Sequence, residues 1–244
     1  IRMILRLGGG DLNALFGIAG FAGGIGVGTI FLKKGYSLQR TYALSKLESA
    51  MMPAIQVGLL VLVVTAPAFI LFSQKGPGAM HAPWLISLAA GLVVGGLSQF
   101  SRLCTVGGFR DLFLFKKSIL IFGYLAVLIG VFVVNISFGN FHLGFENQPI
   151  AHTDGLWNFL GMALAGFCSV LLGGCPLRQL IMTGEGNSDS AVTVLGLAAG
   201  AAFAHNFGLA ASGAGPTLNG EIAVGVGFVV AFIIAVLNTK RSNA

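Results

Sequence analysis

The chain has 244 residues, of which 55% are hydrophobic and only 9% charged, and its mean hydropathy is +0.88. A soluble domain carries roughly a quarter charged residues, so too little polar surface remains to face water, and lipid must solvate most of this chain. The formal net charge of +6 comes without a basic run interleaved with aromatics. That argues against a nucleic-acid partner and for the Lys/Arg excess of cytoplasmic loops.

A membrane-spanning helix needs about 20 apolar residues, and seven stretches meet that length in chain order. Arg2 and Arg6 are followed at once by glycines and Asp11, which is not a signal-peptide pattern. The first span is 11–32. Its glycines between Gly17 and Gly28 lack the Lys-Ser/Thr that completes a phosphate loop, so they read as helix-packing residues. A basic link, Lys33 to Lys46, leads to the second span, 50–73, and a Gly/Pro-rich link, Ser73 to Pro83, leads to the third, 83–101. The fourth is 118–138, followed by a polar loop from Phe138 to Asp154. The fifth is 155–174, the sixth 189–210 with His205-Asn206 inside it, and the seventh 220–238, after the nearly uncharged loop Ala211 to Gly220. The expected fold is an all-α polytopic membrane protein with one transmembrane domain over 1–244. Short or re-entrant helices are expected to carry the cysteine segments that interrupt the apolar pattern. Gly91 to Ser98 resembles Gly161 to Cys168, seventy residues later, a weak internal repeat of the kind transporters often contain.

If all seven stretches span, eleven basic residues fall on one side: Lys33, Lys34, Arg40, Lys46, Arg102, Arg110, Lys116, Lys117, Arg178, Lys240 and Arg241. Only Arg2, Arg6 and Lys75 fall on the other. The positive-inside bias then puts the C-terminus in the cytoplasm.

Three cysteines, Cys104, Cys168 and Cys175, lie among small residues. An odd number outside a small secreted scaffold points to thiols rather than a disulfide framework. In Gly173-Gly174-Cys175-Pro176-Leu177-Arg178-Gln179, the two glycines permit a helix break and Pro176 suits the first position of a new helix. Cys175 would sit at the start of a short helix ending near Gly184, where free backbone N–H groups favour an anion. A neutral S–H is a weak, polarisable donor, and weak contacts suit a site that must release its solute. Cys168 is either a second stepping stone seven residues earlier or a small core hydrophobe. Arg102 and Arg110 flank Cys104 and either attract an anion or anchor at the interface. Gln99, Ser101 and Thr105 are further polar candidates near Cys104, and Glu185 is a candidate partner for Arg178. In Glu185-Gly186-Asn187-Ser188-Asp189, Asn187 or Ser188 is the expected cap of the next helix. There is no CxxC or HxxxH, and the histidines are scattered, so neither a metal nor a cofactor is expected.

The string Gly173-Gly174-Cys175-Pro176-Leu177-Arg178-Gln179-Leu180, followed by Gly184-Glu185-Gly186-Asn187-Ser188-Asp189, resembles the signature of the YeeE/YedE sulfur-transport family. Ser101-Arg102-Leu103-Cys104 to Arg110-Asp111 fits that family's other cysteine motif. The Pro-Leu-Arg-Gln form is most similar to the selenium-associated YedE branch, and the resemblance covers roughly 85–244. It implies a bacterial inner-membrane transporter, not an enzyme, passing a small sulfur or selenium anion such as thiosulfate through a constriction by transient S–H contacts. The implied transport residues are Cys104, Cys175 and Cys168, with Gly173, Gly174, Arg102, Arg110, Arg178, Gln179 and Glu185 around them. The implied partners are the anion, the lipid bilayer and a cytoplasmic sulfur- or selenium-carrier protein. Family members usually carry an additional cysteine motif nearer the N-terminus, and no cysteine precedes Cys104 here. A membrane sulfur- or selenium-transferase using an activated thiolate, or an accessory subunit of a redox complex, is the alternative reading.

Overall fold

The structure, a computed structural model, describes residues 2–38, 46–67, 82–148 and 152–239. Most of the link from Ser73 to Pro83, part of that from Lys33 to Lys46, and the basic residues Arg40, Lys75, Lys240 and Arg241 lie outside the described residues. Ten helices and no extended strand occur among the described residues. They are α1 (Arg2–Gly8), α2 (Asn13–Lys33), α3 (Lys46–Thr65), α4 (Trp84–Ser101), α5 (Thr105–Phe115), α6 (Ile119–Ser137), α7 (Gly155–Leu171), α8 (Pro176–Gly184), α9 (Ser188–Asn206) and α10 (Leu218–Leu237).

Among the described residues, five stretches are long and apolar enough to cross a membrane: α2, Trp84–Phe115 (α4 followed by α5), α6, Gly155–Gly184 (α7 followed by α8) and α10. They coincide with the predicted spans 11–32, 83–101, 118–138, 155–174 and 220–238. The other two predicted spans are helical but fall short of that measure among the described residues. Of the span 50–73, residues 68–73 lie outside the described residues, and the apolar helix described within it is Ala54–Thr65. In α9, Asp189 at one end and His205-Asn206 at the other dilute the apolar run.

The chain forms two compact units. One comprises α1, α2, α5, α6, α7, α10 and the end of α9 (Ile1–Gln39, Cys104–Pro176, Leu197–Ala244). The other comprises α3, α4, α8 and the start of α9 (Arg40–Leu103, Leu177–Gly196).

The first unit is built on α2 against α7. Lipid tails are as apolar as leucine, so such helices are held by close packing rather than by the hydrophobic effect. The α2 glycines provide that closeness. A Cβ added at Gly20 would run into the Phe159 carbonyl, one at Gly24 into the Ala163 carbonyl, and one at Gly166 of α7 into the Phe21 carbonyl. Gly28 continues the stripe one turn on, with the Val170 side chain 2.7 Å from the position a Cβ would take. This is the packing role expected of the Gly17–Gly28 run. Below the stripe the Phe31 ring lies 5.8 Å from Phe167 and 5.6 Å from Phe232, against a core of Tyr36, Leu171, Ala231 and Ala235.

At the other end of α2, Arg6 pairs with buried Asp11 at 2.6 Å. The Asn13 side-chain amide donates to the Phe145 carbonyl at 2.6 Å, and the Leu12 N–H to the Gly144 carbonyl at 3.0 Å. The loop after α6 is thereby fastened to the start of α2.

Candidate functional site

The two cysteine segments share one backbone device. At the end of α7 the Gly174 N–H reaches back to the Ser169 carbonyl and the Gly173 N–H to the Val170 carbonyl, both at 3.0 Å, with Gly173 left-handed at φ +81°. This double closure satisfies carbonyls that the helix end would leave orphaned. Cys175 and then Pro176, the first residue of α8, follow directly. At the end of α4 the Leu103 N–H reaches the Ser98 carbonyl at 3.2 Å and the Arg102 N–H the Gln99 carbonyl at 3.3 Å. Here it is Arg102 that is left-handed, at φ +52°. Cys104 follows and caps α5, its sulfur accepting from the Gly107 N–H at 3.3 Å. The spacing between the two devices is 71, Ser98 matching Ser169 and Cys104 matching Cys175.

Both cysteines belong to the first unit, and the fold brings them together. The Cys104 sulfur stands within hydrogen-bonding reach of both the side chain and the backbone amide of Cys175. Cys175 is buried, at 3% exposed, and Cys104 is half-buried. Thr105 and Val106 behind them are buried as well. The Tyr124 side chain of α6 lies beside Thr105 and within electrostatic reach of both thiols. The sequence reading passed over Tyr124. The signal that could have found it is a hydroxyl inside the apolar run 118–138, away from Ser118 and Ser137 at its two ends, where a polar tip requires a partner.

Cys168 is placed differently. It lies in the last turn of α7 and packs on the aromatic core with Phe167 and Leu171. The left-handed residue at Gly173 interrupts the helix before Cys175, so no continuous helical face carries both thiols. Burial, and then proximity to Cys168, holds the Tyr36 phenol above its ordinary range.

In the second unit three predicted polar residues close a ring. Arg178 donates to the Gln99 side-chain oxygen at 3.0 Å and lies 3.8 Å from the Glu185 carboxylate, while the Gln99 amide donates to that same carboxylate. The expected Arg178–Glu185 pairing is therefore present, with Gln99 as the third member. Gln179 is buried, and its carbonyl accepts from the Thr183 hydroxyl at 2.8 Å. After α8 the chain reverses on Gly186, at φ +87°. Asn187 then caps α9, its side-chain oxygen accepting from the Ser190 N–H at 2.9 Å. Arg110 is satisfied locally by Asp111 at 2.9 Å, and Arg102 is exposed at its turn. The Asn206 amide bonds back to the Ala202 carbonyl of its own helix at 2.8 Å.

Apolar helices twice broken at a left-handed residue, each break followed by a cysteine that heads a short helix, define a multi-pass membrane protein in which two thiols meet. The family model described as sulphur transport matches residues 100–239, more than half of the chain, and the chain belongs to that family, the YeeE/YedE family its motifs resemble. The family is one of membrane transporters of sulfur species. No curated protein and no solved structure gives a significant match to the chain.

Proposed function

We propose that this chain moves a small sulfur or selenium anion of the thiosulfate type across the bacterial inner membrane, through a constriction whose narrowest contacts are the Cys104 and Cys175 thiols. The observation that carries this reading is the meeting of those two thiols, 71 positions apart in sequence, each at the head of a helix. Two sulfur groups side by side offer soft, polarisable S–H contacts that attract a sulfur-bearing solute and let it go again. Gly173 and Gly174 add no side chain that would block the approach. The whole chain acts as one transport domain with its C-terminus in the cytoplasm, where a sulfur- or selenium-carrier protein receives the solute. The Pro-Leu-Arg-Gln form of the motif supports a selenium species as the alternative cargo. Arg178, held by Gln99 and Glu185, Arg102 and Arg110 supply positive charge for the anion, and Gln179 and Glu185 set the position of α8. Cys168 acts in support, through the core at the end of α7.

The test is uptake of labelled thiosulfate and selenite into proteoliposomes. Cys175→Ala, a methyl that cannot donate, abolishes uptake by a folded, inserted protein. Cys175→Ser retains less than wild type, because a hydroxyl is a harder donor. Wild-type uptake by folded Cys175→Ala would remove the thiol pair from the route.

A further inference from the structure

Tyr124 lies in the second turn of the spanning helix α6 and is 6% exposed. Its hydroxyl is buried and makes no hydrogen bond of good geometry among the described residues, the Thr105 side chain beside it being its one candidate partner in the protein, and it stands within electrostatic reach of both Cys104 and Cys175. Its placement follows from the sequence around Cys104. Gly107 and Gly108 open the first turn of α5, and Leu120 and Ile121 of α6 seat against them: a Cβ at Gly107 would come within 3.2 Å of the Leu120 side chain. Tyr124 is four residues after Leu120, one turn further along the same helix face, which brings its ring to the cysteine end of α5.

A buried hydroxyl with an unmade hydrogen bond is unfavourable, and phenylalanine would fill nearly the same volume without that cost. The thiols meanwhile form the soft side of the site, with the Cys104 sulfur already accepting from the Gly107 N–H. A phenol O–H is a hard donor and matches an oxygen better than a sulfur.

We infer that the Tyr124 hydroxyl is a further substrate-contacting, specificity-determining group of the thiol site: it donates to an oxygen of an anion whose sulfur end lies against Cys104 and Cys175. The site then has a soft end and a hard end, and selects a sulfur-terminated oxyanion over solutes that offer only one of the two. Sulfide has no oxygen for Tyr124, and sulfate has no exposed sulfur for the thiols. The inference rests on the proposed passage of the solute along the thiols.

The experiment compares wild type, Tyr124→Phe and Cys175→Ala in proteoliposomes, reading thiosulfate KM, the inhibition constant of hydrosulfide against thiosulfate uptake, and the melting temperature. Tyr124→Phe is expected to raise the thiosulfate KM about tenfold, the loss typical of one hydrogen bond to a charged group. Hydrosulfide inhibition stays unchanged, and the melting temperature is equal to or above wild type because an unpartnered buried hydroxyl has been removed. Unchanged thiosulfate kinetics in Tyr124→Phe, with uptake still abolished in Cys175→Ala, would overturn the tyrosine's role and leave the thiol passage standing. A lowered melting temperature or failure to fold would make the hydroxyl a structural partner and overturn it equally. Wild-type uptake in Cys175→Ala would instead remove the thiol passage on which the inference rests.

Discussion

Gly24→Ala perturbs the closest backbone approach in the first unit. The new Cβ would lie 2.8 Å from the Ala163 carbonyl carbon and 2.9 Å from the Phe167 amide nitrogen, and closer still to the Ala163 carbonyl oxygen. Ordinary contacts of a Cβ begin near 3.4 Å. All three obstructing atoms are backbone, so no side chain can rotate away and α2 and α7 must separate. Overpacking of this kind costs about 1–3 kcal/mol. Against it stands the better helix propensity of alanine, about 1 kcal/mol at most. Because every obstructing atom is backbone and under 3.0 Å away, the cost falls at the upper end, and the net loss is about 2 kcal/mol, which for a chain of this size lowers the melting temperature by about 4–8 °C. Thermal unfolding in detergent micelles, followed by tryptophan fluorescence, measures it. Gly161→Ala on α7 is the control: a Cβ there meets nothing within 4 Å, so it keeps or raises the melting temperature. Adding Ala163→Gly to Gly24→Ala should not restore stability, because the obstructing carbonyl stays in place. Gly24→Ala melting at or above wild type would refute the backbone-contact reasoning.

Two further outcomes follow from charge and titration. Arg178→Gln should weaken anion uptake about tenfold or more by removing a charge-assisted donor, and Arg178→Lys should restore only part of it, because a point charge cannot bond Gln99 and the solute with a planar fork; initial rates against concentration at matched protein level decide it. The Tyr36 phenol, raised above the model-peptide value of 10.0, contributes stability that is fully present below pH 10 and is lost as pH climbs through its higher folded value, since the unfolded chain gives up that proton first. Tyr36→Phe should therefore flatten the alkaline fall in melting temperature and lower the neutral value modestly, because the buried hydrogen bond from its hydroxyl to the Leu171 carbonyl at 3.4 Å is lost; an unaltered alkaline slope would refute this.

Local chemistry was legible from sequence wherever one residue type answers one backbone need. Gly173-Gly174 and Pro176 announced the break and restart that place Cys175, and Gly184 to Asn187 announced the end of α8 and the cap of α9. The matching break before Cys104 was harder to see, because arginine occupies the left-handed position that glycine usually fills. Among the described residues α9 falls short of spanning quality, since a window count cannot weigh Asp189 or His205-Asn206 at its ends against its apolar middle. The meeting of Cys104 with Cys175 is a contact between distant segments, and no local propensity encodes it. Tyr124 escaped for the same reason: in sequence it is one aromatic among many, and only its position beside Thr105 and the thiols distinguishes it.

The α2–α7 pair has a mechanical consequence. Packed helices usually slide past one another through a layer of side chains that can change rotamer as they move. Where Gly20 and Gly24 of α2 and Gly166 of α7 lie against carbonyls of the opposite helix, that layer is missing. A small axial slip would lift each glycine over a carbonyl ridge, so the two helices travel together as one stiff beam. Cys175 follows the end of α7 by four residues, and so its position is fixed by the seating of the first span as much as by its own motif. Cys104 instead heads α5, which is held by side chains, Leu120 of α6 against Gly107 and the Phe21 ring of α2 against Phe109.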